Sequence, residues 1–514
     1  MKKKLSPYLP GIILFFIALV IGLLVFRDYG IAWDESAQRH TGELSMDYMI
    51  HGDKGLFSYI DRQYGVGFEL PLIISEKLLR ITDPGNAYLM RHLMTHFFFL
   101  ISAFFAYVLL LRLYKSQFIA CLGFMMYVFA PRIYAHSYFN SKDIPYMAMF
   151  MITFAISQVA FEKKKRWLFL LLGIACGYTT SMRVMGILLD GFMLFFLCID
   201  IFTAYTRKEK TKPIIINLLL FTGALLITLV ACWPFLWPSP VHNFMLAYKR
   251  MSHFDWPFSV LLNGKMILGT QLPWTYFPTW FLITNPVLWL FTGFTGMIWI
   301  IFSFFRKPLL YLTNTTERNY ILYLLSFGVP ILAVIFLHAV IYDGWRHLYF
   351  VYPPFVLLAL WFIHKIWQTR FRWFIQTACI IQLGFIGYFM IRNHPFQEVY
   401  FNCLVSHKKE FLRKNYELDY WGCSYRQALE HLVATHPDGP INISSYDVGD
   451  YLIRFNSQLL NEKDRNRLVI TPPEKADYFI TNFRWHPEDY PYPAIDYSIS
   501  VLNSTILCVY KTHE

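Results

Sequence analysis

Ile12-Ile13-Leu14-Phe15-Phe16-Ile17-Ala18-Leu19-Val20-Ile21-Gly22-Leu23-Leu24-Val25-Phe26, with Trp33-Asp34-Glu35 seven residues beyond it, is the stretch whose reading decides the fold. The uncharged run follows Lys2-Lys3-Lys4 and reads as a first membrane span whose N-terminus positive charge holds in the cytoplasm. No small-residue cleavage site follows the apolar core, so the segment is expected to be retained. An adjacent pair of carboxylates then emerges on the far side of the membrane. Two acids at a membrane edge are poor filler and well suited to proton transfer or metal binding.

The rest of the chain keeps this character. Of 514 residues, 56% are hydrophobic and 16% charged, against a charged share of roughly 25% in soluble domains. Apolar runs of roughly 20 residues recur through three quarters of the sequence. The net charge of +12 is a topology signal and no footprint for nucleic acid. Basic residues gather at Arg112/Lys115, Lys163 to Arg166, Arg207 to Lys212, Arg306/Lys307 with Arg318, and Lys365 to Arg372. Between consecutive clusters the chain has room to cross the bilayer and return, so all of them fall on the cytoplasmic side.

That rule predicts about eleven transmembrane helices, at 10–27, 88–111, 117–134, 144–161, 167–182, 184–203, 213–236, 283–305, 319–341, 347–364 and 373–391. A tight outer turn near Arg183 separates the pair 167–203. The odd number leaves residues 392–514 outside. The expected organisation is a transmembrane domain over 1–391 with outer juxtamembrane helices in 28–87 and an outer loop at 237–282, then a small extracytoplasmic α/β domain over 392–514. Within 28–87, Glu35 to Ile50 and the amphipathic run Phe68 to Ile81 read as helices lying at the interface. The loop 237–282 places Trp256, Trp274, Tyr276 and Trp280 among prolines, as an aromatic belt at headgroup level. In the tail, Tyr425 to Thr435 has helical spacing, while Ile441 to Ser444, Leu468 to Thr471, Tyr478 to Asn482 and Ile506 to Tyr510 read as strands.

Of the eight cysteines, five sit in predicted spans, and Cys403, Cys423 and Cys508 in the tail allow at most one bridge. No Cys-x-x-Cys spacing and no phosphate-cradling glycine loop with a lysine is present, which argues against a zinc or redox motif and an ATP-driven pump.

An N-terminal span followed by an outer Asp-Glu pair, a second acidic motif (Ala135 to Asp143) after the third span, many helices and an outer tail resemble the GT-C glycosyltransferases. The nearest branch is the protein O-mannosyltransferase and aminoarabinose-transferase group. His394-Pro395-Phe396-Gln397 and Tyr416-Glu417-Leu418-Asp419-Tyr420-Trp421 also resemble segments of bacterial members. The resemblance implies an enzyme that takes a hexose or pentose from a polyprenyl-phosphate donor and passes it to a protein, lipid or glycan acceptor. It implies a home among membrane lipids, in a bacterial inner membrane with the site facing the periplasm.

By that resemblance Asp34 is the catalytic base, and Glu35 orients the acceptor or ligates a metal. The competing reading is a helix N-cap followed by a first-turn acid. Asp143, with His136 and Asn140, forms a second constellation for catalysis or substrate binding, again against simple N-capping before Pro145. Asp34, Asp143 and His136 are the candidate ligands for a divalent metal ion, the one cofactor the pattern admits. Arg183, a lone arginine on the outer side, suits a lipid phosphate by its two-pronged guanidinium, against snorkelling to the interface. Arg346 and His347, in Gly344-Trp345-Arg346-His347-Leu348-Tyr349, occupy the corresponding mouth of a later span. Asp190 is expected either to pair with a buried donor or to mark a polar path.

Two other function classes compete. A proton-coupled lipid or sugar transporter or flippase would concentrate polar residues near the midplane at broken helices, whereas these gather at the outer edge. A non-catalytic scaffold would leave the outer carboxylates without a role.

Overall fold

The computed structural model describes residues 6–252, 254, 256–446 and 448–513. Lys2, Lys3 and Lys4, on which the expected orientation leans, lie outside the described residues. The chain opens with α1 (Leu9–Val25), then α2 (Glu35–His51), α3 (Gly55–Ser58) and α4 (Glu69–Leu78). It continues through α5 (Pro84–Tyr114), α6 (Gln117–Val128), α7 (Pro131–Phe139), α8 (Asp143–Lys163), α9 (Arg166–Met182), α10 (Ile187–Thr206) and α11 (Lys212–Ala231). After α12 (Pro240–Ser252) a short hairpin of β1 (Ser259–Leu262) and β2 (Lys265–Leu268) precedes α13 (Tyr276–Thr284). Then come α14 (Val287–Arg306), α15 (Pro308–Thr313), α16 (Glu317–Phe336), α17 (Tyr352–Trp367) and α18 (Arg372–Arg392).

This is a multi-pass membrane protein. Each of the eleven expected spans contains helix, but 319–341 and 213–236 overrun α16 and α11, which end at Phe336 and Ala231. Among the described residues, eight helices are long and apolar enough to cross a bilayer, and α6 with α7, bent by 62°, is a ninth where the pair counts as one span. The other two, α1 and α9, have 17 residues each, at the lower bound of the roughly 17–25 a span needs; α1 is apolar along its length, whereas α9 ends on the polar Thr179-Thr180-Ser181. The bend at α7 has a plain cause: Pro131 starts the new helix at its first position, where the missing N–H costs nothing. Residues 135–139, expected in a loop, are therefore the last turns of α7 and are buried.

The most enclosed long helix is α8, with 89% of its apolar window buried. Packing against α5, it forms the axis of the bundle, with Asp143 at its N-terminal end. Helices α9 and α11 meet through Gly173 and Gly177, whose added Cβ atoms would fall 2.3 Å from the carbonyls of Phe221 and Leu225. Two small residues four apart are what lets membrane helices approach this closely.

The basic clusters share one end of the bundle. Arg112 at the end of α5 reaches Glu162 of α8 at 2.6 Å, and Arg318 of α16 reaches Asp200 of α10 at 2.7 Å. The ring of Tyr114 lies 4.3 Å from that of His364 near the end of α17.

At the opposite end the loop before α13 departs from the expected belt. Trp280 and Tyr276 are buried in protein, and Trp256 stacks on Tyr342 at 3.8 Å; of the four, Trp274 is the exposed one. Beyond α18 the chain runs through α19 (Phe411–Asn415) to α20 (Tyr425–Thr435) and α21 (Gly449–Ser457). A five-stranded sheet of order β4-β3-β5-β7-β6 follows, with β3 (Ile441–Ser445), β4 (Leu468–Ile470), β5 (Tyr478–Thr481), β6 (Ala494–Val501) and β7 (Ser504–Lys511). The first three are parallel, and β6 and β7 form a hairpin. Its turn residues Leu502 and Asn503 both take positive φ, as a tight two-residue hairpin requires.

Candidate functional site

Local helix chemistry leaves Asp34 free to act. It occupies the position before α2 without capping the helix. The end of α2 is served by Glu35, whose Oε1 reaches back to accept from the Ala32 N–H at 2.8 Å, in the manner of a capping box. Both Glu35 oxygens also lie 3.1 Å from Nε2 of the buried His92. Glu35 is thus turned into the protein and is absent from the lining of the adjoining cavity. Its expected part in orienting an acceptor or binding a metal is corrected by this placement: the carboxylate is consumed by a helix end and an imidazole.

Asp143 is freed the same way. Asn140 serves the start of α8, accepting from the Asp143 N–H at 2.9 Å, and its amide donates back to Asp143 Oδ2 at 2.9 Å. Oδ1 of Asp143 pairs with Nη2 of Arg183. Arg346 then ties both acids together. Its Nη1 lies 3.2 Å from Asp34 Oδ2 and 3.5 Å from Asp143 Oδ2, while Nε and Nη2 grip Asp343 Oδ2 at 3.2 and 3.0 Å. The guanidinium is sandwiched between Tyr342 and Trp421, at 4.9 and 4.6 Å from the ring centres.

The structure therefore gathers Asp34, Asn140, Asp143, Arg183 and Arg346 into one network. His347 stands edge-on to Tyr342 at 4.6 Å and is half-buried behind it. His136 faces elsewhere: its Nε2 accepts from the Trp421 indole N–H at 3.1 Å, between the Tyr420 and Tyr349 hydroxyls.

The proposed metal ligands Asp34, Asp143 and His136 do not form a set. The Arg346 guanidinium already lies between the two carboxylates, and the imidazole nitrogen is taken by an N–H donor. Among the described residues, the acids and thiol close enough to share an ion are Glu398, Asp419 and Cys423. Burial pushes all three up; Asp419 raises Glu398 further, while hydrogen bonding from Ser424 opposes the rise of Asp419. Asp419 is filled by the N–H groups of Cys423 and Ser424 at 3.1 and 3.0 Å.

Asp34 opens onto a cavity of about 230 Å³ between α2, α4 and the start of α8. Its polar lining adds residues that carry no sequence motif: Gln38, Asp61, Tyr64, Glu69, Ser141 and Lys142. Ser141 bridges Gln38 and Glu69 at 2.6 Å each, and Glu69 pairs with Arg91 of α5. The Lys142 ammonium rests 3.3 Å above the Tyr64 ring. Burial first, then the neighbouring Arg183, brings Lys142 down to about 7, against the pull of Asp34 and Asp143. Burial raises Asp61, with Asp34 adding to the rise and Lys142 opposing it. Lys142 was legible as a basic residue beside Asp143, but only the fold shows it facing Asp34 across a cavity. Asp190 finds a buried donor, the Thr180 hydroxyl at 2.8 Å.

The model of one family, dolichyl-phosphate-mannose-protein mannosyltransferase, matches residues 73–247. The matched segment is about a third of the chain. It includes Lys142, Asp143 and Arg183 and excludes Asp34 and Arg346. No curated protein matches in sequence. Among solved structures, ArnT from Cupriavidus metallidurans bound to undecaprenyl phosphate is similar at 10% identity, covering 97% of this chain and 97% of that one with a TM-score of 0.49. Its apo state gives 12% identity, 98% of each chain and 0.47. The apo oligosaccharyltransferase of Archaeoglobus fulgidus gives 9%, 91% of this chain, 69% of that one and 0.48.

Proposed function

We propose that the protein is an integral-membrane glycosyltransferase of the GT-C type, moving a sugar from a polyprenyl-phosphate donor to a hydroxyl-bearing acceptor. The observation that carries this reading is the Asp34 carboxylate, fixed by Arg346 at the mouth of a cavity that also presents the Lys142 ammonium. The mannosyltransferase pattern over 73–247, a family named for a lipid-phosphate sugar donor, supports it.

The chemistry follows from the charges. Asp34 accepts the proton of the acceptor hydroxyl as its oxygen attacks the anomeric carbon. The bond from that carbon to the donor phosphate oxygen breaks, and its electron pair leaves with the lipid phosphate. Lys142 and Arg183 are placed to hold the charge that develops there. Arg183 has an Nε–H free of any protein partner. Arg346, by contrast, has every nitrogen engaged by carboxylates, so its part is to aim the acids. The cavity is smaller than the roughly 300–1,000 Å³ of drug-sized ligand sites, in keeping with one sugar ring. The active end is assigned to the periplasmic face of a bacterial inner membrane, because the basic clusters lie at the other end.

Purified protein given a labelled polyprenyl-phosphate sugar and a membrane extract as acceptor should move label off the donor. Label retained wholly on the donor, with intact lipid binding, would favour transport instead.

A further inference from the structure

The loop leaving β5 carries Arg484 between Phe483 and Trp485, whose φ angles are 59° and 64°. Left-handed backbone is uncommon for bulky residues and persists where surrounding structure demands it. What these two residues present is a buried guanidinium at the centre of the bundle's mouth. Arg484 Nη2 donates to Asp343 Oδ1 at 2.8 Å, and Nη1 donates to the Tyr420 carbonyl. Asp343, itself at φ 57°, uses its other oxygen for the two-point grip on Arg346, and Arg346 Nη1 forms an ion pair with Asp34 at 3.2 Å. Charges of alternating sign thus run Arg484, Asp343, Arg346, Asp34. The chain starts in the sheet region and ends on the proposed base.

We infer that Arg484 is a positioning residue for transfer: by fixing Asp343 it sets the direction of the Arg346 guanidinium, and through it the Asp34 carboxylate. The sheet region is then part of the catalytic apparatus. The inference rests on the transferase reading above. Its physical basis is that a single arginine on Asp343 leaves that carboxylate free to turn, whereas two arginines on opposite oxygens fix its plane. Glu417 makes the point sharper: its buried oxygens lack protein partners, and it lies near Asp343 and Arg484. Without Arg484, Asp343 would keep Arg346 as its one ion-pair partner among the described residues.

Arg484 also joins two segments through Tyr420, so the test must separate aiming from holding. Full-length protein in nanodiscs is assayed with a labelled polyprenyl-phosphate sugar as wild type, Arg484→Gln, Arg484→Lys, Asp343→Asn and the Arg484→Gln/Asp343→Asn double variant. Arg484→Gln should lower kcat by about 100-fold, the scale of a small misplacement of a catalytic group, with donor KM within about twofold of wild type. Arg484→Lys should recover part of the loss. The double variant should fall no further than the worse single variant, because the residues act as a unit. Wild-type kcat in Arg484→Gln, or losses that multiply in the double variant, would overturn the inference. If Arg484→Gln does not fold, the near-isosteric Asp343→Asn decides alone: reduced kcat supports the inference and wild-type kcat refutes it. An inactive wild type would instead overturn the transferase reading itself.

Discussion

Oδ2 of Asp34 lies 3.2 Å from Nη1 of Arg346, joining the first loop of the chain to a residue more than 300 positions later. The same nitrogen lies 3.5 Å from Asp143, so one guanidinium sets the spacing of the two acids. Removing it would leave two carboxylates facing each other in a partly desolvated site, where like charges are costly.

The first prediction concerns pH and the donor. With the amine of Lys142 at about 7, its charge is present below that value and lost as pH rises through it. Affinity for a polyprenyl-phosphate sugar should therefore weaken between about pH 6 and 8 in wild type. In Lys142→Met it should be weaker at about pH 6 and nearly flat, so that the two proteins converge toward about pH 8. Equilibrium binding of a labelled donor across that range checks both; an identical slope in the variant would remove Lys142 from the donor site.

Arg183 should behave as a planar phosphate ligand. Arg183→Ala is expected to weaken donor binding by about 10-fold or more and Arg183→Lys to restore it in part, since the fork is lost but the charge is kept. The same binding assay decides, and affinity unchanged in both variants would leave Arg183 only the task of holding Asp143.

How far the sequence foretold this site depends on the residue. The helices were legible because long apolar runs and basic clusters are strong, local signals, and Asp34 stood out as an acid at a span's end. The strand β6 was missed although Ile495, Tyr497, Ile499 and Val501 alternate, because Ser and Asp between them read as loop. Glu35 looked like a partner of Asp34, yet adjacent helix residues point apart, and its fate was set by His92, 57 positions away. Asp343, Lys142 and Arg484 could not be singled out because their importance lies in long-range pairing, which no spacing encodes.

Glu417 makes a prediction about stability. Burial, followed by the Asp343 carboxylate, pushes it up to about 8. An acid whose folded value exceeds its unfolded one favours folding fully only below the unfolded value. That contribution is lost as pH rises through the unfolded and toward the folded value. Glu417→Gln mimics the protonated form. Its melting temperature should match wild type near about pH 4.5 and exceed it increasingly toward pH 8. A constant offset at every pH would contradict this.

Orientation is tested by labelling. In a background with Cys198 and Cys403 replaced, single cysteines at Ser58 and Ser498, both exposed at the site-bearing end, should react with an impermeant maleimide from the periplasmic side. One at Ser116, beside the basic cluster at Lys115, should not. The reverse pattern would invert the topology.

The central claim is that Asp34 takes the acceptor's proton, and Asp34→Asn tests it most directly. Asparagine keeps the size and leaves an amide oxygen able to accept from the Arg346 guanidinium, so the fold and donor binding should persist. Sugar transfer should fall by about 10²–10⁴-fold, the usual worth of a general base. A folded, donor-binding Asp34→Asn protein that transfers sugar at near wild-type rate would contradict the assignment and leave Asp143 as the base to examine.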